Sequence, residues 1–490
     1  MSGGVKACAV AFAVAALLFA ALCVVFLLGL DDVDFERLQF STVRGWIEED
    51  GCSCVNVTSF FLERIQRLNG KINAIITTNP RAMDVARLLD ERRELGLPLG
   101  RLHCMPMVVK DNYWTVDTPV TCGVRALANA SSVRDPRIVA ALKAEGAVLL
   151  AKANLASMAL SGSDSTSQTG GITRNPYAPA HTPYGSSGGS AAAVGAGLAV
   201  LALGSDTGCS MRLPAHAANI AALRSTHGAV DADLIGPDAP FVQTVGPMTR
   251  RVRDLAQALD VVGLRHTPGA SLKKEKAITR TRKRFSAVAI TEMIYDPTSL
   301  PAKPIDPEIL KLTTKFVSEI NSFGVPVVER GLTPPLLHFF RQFFLNSSSE
   351  ELFEGVAMTA LCLPELSNDF IDVIKRSGGH FPAKSFTYFL LGDFVVAQNE
   401  GDLPPRLKED GRIEYDPNGP VAFHFYLWAS YCGVPSLSLP VGFTQPTGDA
   451  PLGFPVGLQN IGPKGSDRML LRFGESYQEK FGIVKHPAGF

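Results

Sequence analysis

Charge is scarce in this sequence and has no bias of sign. Charged residues are 19 % of the 490, and 47 Lys and Arg are balanced by 47 Asp and Glu. Binding to nucleic acid calls for a basic surplus that neutralises phosphates, so that class of partner is excluded. Cysteine, with nine residues, is too thin for a disulfide scaffold. Cys52 and Cys54 form a C-x-C pair with no second pair at metal spacing, so no metal site is expected. The 44 Gly and 33 Pro have no period, which excludes collagen. Histidine is also sparse: His103, His181, His216 and His227 are scattered, and a serine nucleophile would find no evident imidazole base among them. Disorder is excluded from the other side, because 46 % of the chain is hydrophobic.

One long apolar run is present. Ala7 to Leu30 contains 24 residues without a charge. As a helix it would measure about 36 Å, enough to cross a hydrocarbon core of about 30 Å with some tilt. It exceeds the apolar region of a cleaved signal peptide, and no A-x-A site stands at its end. The expectation is an N-terminal signal anchor over residues 1–30. Lys6 before the run and Asp31, Asp32 and Asp34 after it would leave the tail in the cytoplasm and the main domain outside. That gives a single-pass membrane location in the secretory pathway or at the cell surface, or a secreted protein if the segment is cleaved.

Past Leu30, periodicity alternates between helix and strand. Phe60, Phe61, Ile65 and Leu68 recur at helical steps, as do Ala82, Ala86 and Leu89. Met105 to Val109 reads as a buried strand that delivers Lys110, Asp111 and Asn112 at its carboxyl end. Ile138 to Glu145 is predicted as a helix, Ala147 to Ala151 as a strand, and Ser161 to Thr173 as a loop. Gly185 to Ser190 runs into a predicted helix from Ala191 to Leu198, and a strand from Val200 to Leu203 opens onto Gly204 to Ser210. Pro307 to Phe323 is a further helix. This alternation indicates a layered α/β architecture. A stretch rich in Lys, Arg and Thr between Thr267 and Arg284 marks residues 266–305 as an exposed linker or loop.

Three features could make a nucleophile: Lys110 at a strand end, the serines of Gly185 to Ser190, and Ser210 after a tight glycine turn. Gly185, Ser187 and Gly189 also fit G-x-S-x-G, the elbow of α/β-hydrolases. An elbow follows an apolar strand, and Pro176, Pro179 and Pro183 occupy that place. A phosphate loop would need G-K-[ST], which is missing.

The ordered segments MPMVVKDN, GGITRNP, GSSGGSAAAVGAGLAVLALGSDTGCSMRLPA, VGPMTR, PSLSLPVG and GFPVGLQNIG resemble the amidase signature family over about residues 40–480. The resemblance implies an α/β fold in residues 31–490, a single large domain whose central twisted mixed sheet is flanked by helices. It implies a Ser-Ser-Lys triad of Lys110, Ser186 (following a cis peptide) and Ser210, with the backbone N–H groups of Thr207, Gly208, Cys209 and Ser210 at the oxyanion. A free lysine is protonated at neutral pH, but burial without a carboxylate leaves a neutral amine that can act as a base. The activity implied is hydrolysis of linear amides through an acyl-enzyme, giving a carboxylate and ammonia or an amine. The anchor points toward lipophilic amides, as in fatty acid amide hydrolase-like members. Two alternatives stand beside it: a catalytically impaired amidase-like binding or scaffold protein, and a glutamine amidotransferase A-type subunit. Cys209 stands where the family usually has glycine; Asn219, Ala222 and Ser225 replace glycine, glycine and proline. No cofactor is expected. The partners expected are a small-molecule amide and the membrane, with a homodimer left open.

Overall fold

In the computed structural model the described residues are 38–237, 242–264, 306–325 and 433–482, with short strands and isolated positions between them. The chain opens with α1 (Phe40–Glu48) and α2 (Cys54–Ile72). Ser53 caps α2 by accepting from the Asn56 N–H, and Asn73 ends it in the left-handed conformation that asparagine tolerates. Phe60 and Phe61 lie on the buried side of α2 and meet Trp46 of α1 edge-on and tilted. Each such aromatic contributes about 2 kcal/mol by its burial.

Next come β1 (Ile75–Thr78), α3 (Ala82–Glu94), β2 (Pro106–Lys110), α4 (Arg137–Ala144) and β3 (Val148–Ala153). The predicted loop at Ser161 to Thr173 holds a small hairpin, β4 (Thr166–Ser167) with β5 (Gly171–Ile172). Then follow α5 (Gly188–Gly195), β6 (Leu201–Asp206), α6 (Arg212–Ala217), β7 (Ala221–Arg224), β8 (Thr244–Thr249) and α7 (Val252–Val262). The later described elements are β9 (Ala287–Ile290), α8 (Pro307–Ser322), β10 (Val327–Arg330), β11 (Phe394–Gln398), β12 (Ser436–Phe443), β13 (Pro455–Ile461) and α9 (Asp467–Phe481).

Eleven of these strands form one mixed sheet in the order β1-β3-β2-β6-β8-β7-β12-β13-β11-β9-β10. β2 runs parallel to both β3 and β6, whereas β8, β7, β12 and β13 pair antiparallel. Buried on both faces, β2, β3 and the first half of β6 read as near-continuous apolar runs, which is why their sequence signal is strong. β9 falls inside residues 266–305: residues 287–290 are therefore part of the sheet rather than linker, and most of the rest of that stretch lies outside the described residues.

Two expectations change here. The signal anchor of residues 1–30 lies outside the described residues, and no helix among the described residues is long and apolar enough to cross a membrane. The expected membrane or secreted location therefore does not stand. The cysteines also pair in a way that spacing did not reveal. Cys54 at the start of α2 is disulfide-bonded to Cys104, 50 residues on, in the turn that leads into β2. His103 places Nε2 3.4 Å from the Cys54 sulfur, so Cys54, His103 and Cys104 make one buried sulfur–imidazole group.

Candidate active site

The site forms where β2, β6 and the segment before α5 converge. Val109 pairs with Leu203 in the parallel ladder, and Lys110 follows at the end of β2, fully buried. α5 starts at Gly188, three residues earlier than its alanine run suggests, so the serine segment lies directly at its amino end. Its residues are small and all buried, which lets the helix backbone approach the sheet closely. Gly185 is required by space: a Cβ there would run into the Asp164 carbonyl oxygen.

Lys110 Nζ lies 2.7 Å from Ser186 Oγ and 2.9 Å from Ser205 Oγ. The Gly185–Ser186 peptide is cis. The Ser186 carbonyl accepts from the Ala156 N–H and the Ser165 hydroxyl, both at 3.2 Å. The Ser187 N–H donates to the Ser210 carbonyl at 3.0 Å, which ties the serine turn to the segment after β6. Ser187 Oγ donates to the Ser205 carbonyl at 3.1 Å and accepts from the Ser205 N–H at 3.3 Å. That hydroxyl is fully buried and already bonded to backbone on both sides, so the elbow reading, with Ser187 as nucleophile, fails on geometry.

Burial pulls the Lys110 amine down to about 7, against the smaller upward pull of the Asp206 charge. Asp206 is engaged elsewhere. It receives Arg212 on both oxygens, from Nε and Nη2 at 3.0 Å each, and Arg224 Nη1 at 3.2 Å. Burial alone would push this carboxyl up, but the two guanidinium groups outweigh it and hold it well below the usual carboxylate range.

The turn from Thr207 to Ser210 is braced by the same arginine. Arg212 Nη2 and the Ser430 hydroxyl both donate to the Gly208 carbonyl, the latter at 2.7 Å. Pinning that carbonyl points the Cys209 N–H the opposite way, because the intervening peptide is planar. Among the described residues, no hydrogen bond occupies the N–H groups of Thr207, Gly208 or Ser210. Cys209 is not among the residues with positive φ, so its side chain sits where glycine is usual without left-handed strain. Asn219, another replacement, has φ +53°, a conformation that asparagine bears better than most residues.

The predicted residues thus gather at one place: Lys110 against Ser186, and the Thr207–Ser210 turn held to Ser187. Sequence reading placed Asn112 at the strand end without giving it a role, and missed Ser205 and the Asp206–Arg212–Arg224 cluster. The signal was present in the polar residues flanking the two motifs. The histidines serve other purposes. His216 is buried, pushed down to about 4 by burial, and accepts the Gly457 N–H at 2.7 Å.

The amidase family model matches residues 56–390. The chain belongs to the amidase family. Enzymes of this family hydrolyse amide bonds, and this chain is an amidase. Curated relatives include the A-type subunit of the glutamyl-tRNA(Gln) amidotransferase of Methylococcus capsulatus, 31 % identical over 90 % of this chain and 97 % of the relative. Its counterpart in Alkaliphilus metalliredigens is 28 % identical over 92 % of this chain and 98 % of its own length. Among solved structures, peptide amidase from Stenotrophomonas maltophilia superposes with a TM-score of 0.67 at 23 % identity, covering 93 % of this amidase and 99 % of that chain. A bacterial aryl acylamidase gives a TM-score of 0.68 at 20 % identity, covering 90 % and 96 %. At these identities the structural likeness speaks for the fold, which is the α/β fold with a mixed central sheet that the resemblance implied.

Proposed function

We propose that this amidase cleaves linear carboxylic amides through an acyl-enzyme on Ser210, with Lys110 as the base and Ser186 as the relay. The observation that supports this most is the Lys110 amine, buried, brought to about 7, and 2.7 Å from the Ser186 hydroxyl. The neutral amine takes the proton of Ser186, which takes that of Ser210 as its oxygen attacks the carbonyl carbon. The N–H groups of Thr207, Gly208, Cys209 and Ser210 receive the developing oxyanion, and one such donor is worth about 10²–10³ in rate. Return of the proton to the leaving nitrogen expels ammonia or an amine. Water then attacks the ester along the same relay in reverse and releases the carboxylate. The filled triad and the unstrained Cys209 weigh against an impaired binding protein.

A serine-directed fluorophosphonate should label the wild type and leave Ser210→Ala unlabelled. Labelling that persists in Ser210→Ala and disappears in Ser187→Ala would overturn the assignment. A second reading concerns substrate. The amidotransferase relatives that align over about nine-tenths of the chain favour glutamine as an amide donor, with the ammonia passed to a partner protein. The lipophilic amides suggested by residues 7–30 have no support from the described residues. Turnover of glutamine, a peptide carboxamide and a long-chain acyl amide, measured side by side, separates the three.

A further inference from the structure

Lys110 has a second neighbour that the relay does not use. Ser205 Oγ lies 2.9 Å from Nζ, almost as close as Ser186, and only 2 % of Ser205 is exposed. As an ammonium, Lys110 can donate to both hydroxyls. As a base it is a neutral amine with two N–H donors and a single lone pair. That lone pair has to face the proton of Ser186. An acceptor must therefore hold an N–H on the other side, and that acceptor must not offer a proton of its own to the nitrogen.

Ser205 takes that place, with Asn112 on its other side. Asn112 Nδ2 donates to the Gly236 carbonyl at 2.6 Å and to Ser205 Oγ at 3.1 Å. A backbone carbonyl only accepts, so the amide nitrogen has to face Gly236, and this fixes the orientation of the whole carboxamide. With Asn112 on one lone pair and a Lys110 N–H on the other, the Ser205 hydrogen projects away from the amine. The arrangement leaves Asn112 Oδ1 buried with no partner among the described residues, a loss the fold accepts while keeping both N–H bonds. We propose that Ser205, which accepts from both Asn112 and Lys110, is a positioning residue that turns the lone pair of Lys110 toward Ser186. The inference rests on the relay proposed above.

The test compares Ser205→Ala, Ser205→Val and Ser205→Thr by pH profiles of kcat and kcat/KM on a short amide. Thr and Val have nearly the same shape and differ by the hydroxyl, so a packing defect would affect both alike. Loss of the hydroxyl should lower the kcat plateau about 10- to 100-fold, the scale of a misplaced reacting group, with little change in KM. It should also move the acidic midpoint to lower pH, because the ammonium loses an acceptor that stabilised it. Ser205→Thr should restore both plateau and midpoint. An unchanged plateau and midpoint in Ser205→Val, or a Ser205→Thr as impaired as Ser205→Val, would overturn the proposal. Lys110→Ala, assayed alongside, separates the two levels. If it stays active the relay itself is wrong; if it is inactive while Ser205→Val behaves as wild type, only the positioning role is lost.

Discussion

Two lysines on neighbouring parallel strands, Lys110 at the end of β2 and Lys152 on β3, are both fully buried, yet their surroundings differ. In the ladder Lys152 pairs with Val109 and Lys110 with Ala153, so the two side chains project from opposite faces of the sheet. Lys110 meets two hydroxyls, and the carboxylate whose charge reaches it is bound up with two arginines. Lys152 donates to the Tyr113 carbonyl, lies 3.4 Å from Thr115 Oγ1 and stands 3.8 Å from the Asp111 carboxylate. Burial brings it down too, but Asp111 opposes this and it settles at about 8 against about 7 for Lys110. Burial alone therefore does not make a base. Hydroxyl partners leave an amine that can give up its proton; a carboxylate beside it makes a cross-brace, here between β3 and the segment that Asp111 bonds to at Thr121.

The contrast can be broken most sharply at Lys110. Lys110→Ala should reduce kcat/KM by about 10²–10⁴-fold or more, the range of a general base. The wild-type rate should rise with pH through a midpoint near 7. A flat profile with a mildly affected mutant would put the base elsewhere.

Lys152→Met should act on stability instead. It leaves Asp111 buried without its cation, which costs about 3–5 kcal/mol when one partner of a buried pair is removed. The denaturant midpoint reads this, and Lys152→Met with Asp111→Asn should recover part of the loss. A Lys152→Met protein of normal stability would show that Asp111 is served by Thr121 alone.

A smaller effect lies in the pH dependence of folding. Both lysines have folded values below the ordinary 10.5, so the unfolded chain binds more protons in between, and stability rises with pH there. For Lys110 the window runs from about 7 to 10.5, and for Lys152 from about 8 to 10.5. Lys110→Met should remove the rise between about 7 and 8 and cut the slope above 8 to about half, the part due to Lys152. Denaturant titrations across that range measure it, and an identical slope in both proteins would contradict the low Lys110 value.

What the sequence made legible follows the physics of each element. Met105 to Lys110 was readable because a strand buried on both faces has to be apolar throughout, which makes its one lysine conspicuous. The serine cluster was readable through its family likeness. Ser205 was not, because Gly204 and Ser205 look like loop residues. β6 extends three residues past Leu203 since Gly204 and Ser205 pair with Gly246 and Val245 of β8, a partner some 40 residues away. The Cys54–Cys104 bond was hidden for a similar reason: it depends on α2 packing beside β2, which no local spacing records. Residues 7–30 gave the plainest pattern of all, and it lies outside the described residues.

The brace on the oxyanion turn has a consequence for how the protein is made. Every residue proposed for the chemistry has been synthesised by position 210, yet Arg212 takes its outer partners from Ser430 and Gln459, and Thr226 bonds to Asp467. β12 must also slot between β7 and β13 before the sheet is continuous. A nascent chain would therefore carry a complete set of reactive side chains on an unfinished scaffold, with β7 waiting as an open edge for more than 200 residues of translation. Activity should appear late, after the last hairpin arrives.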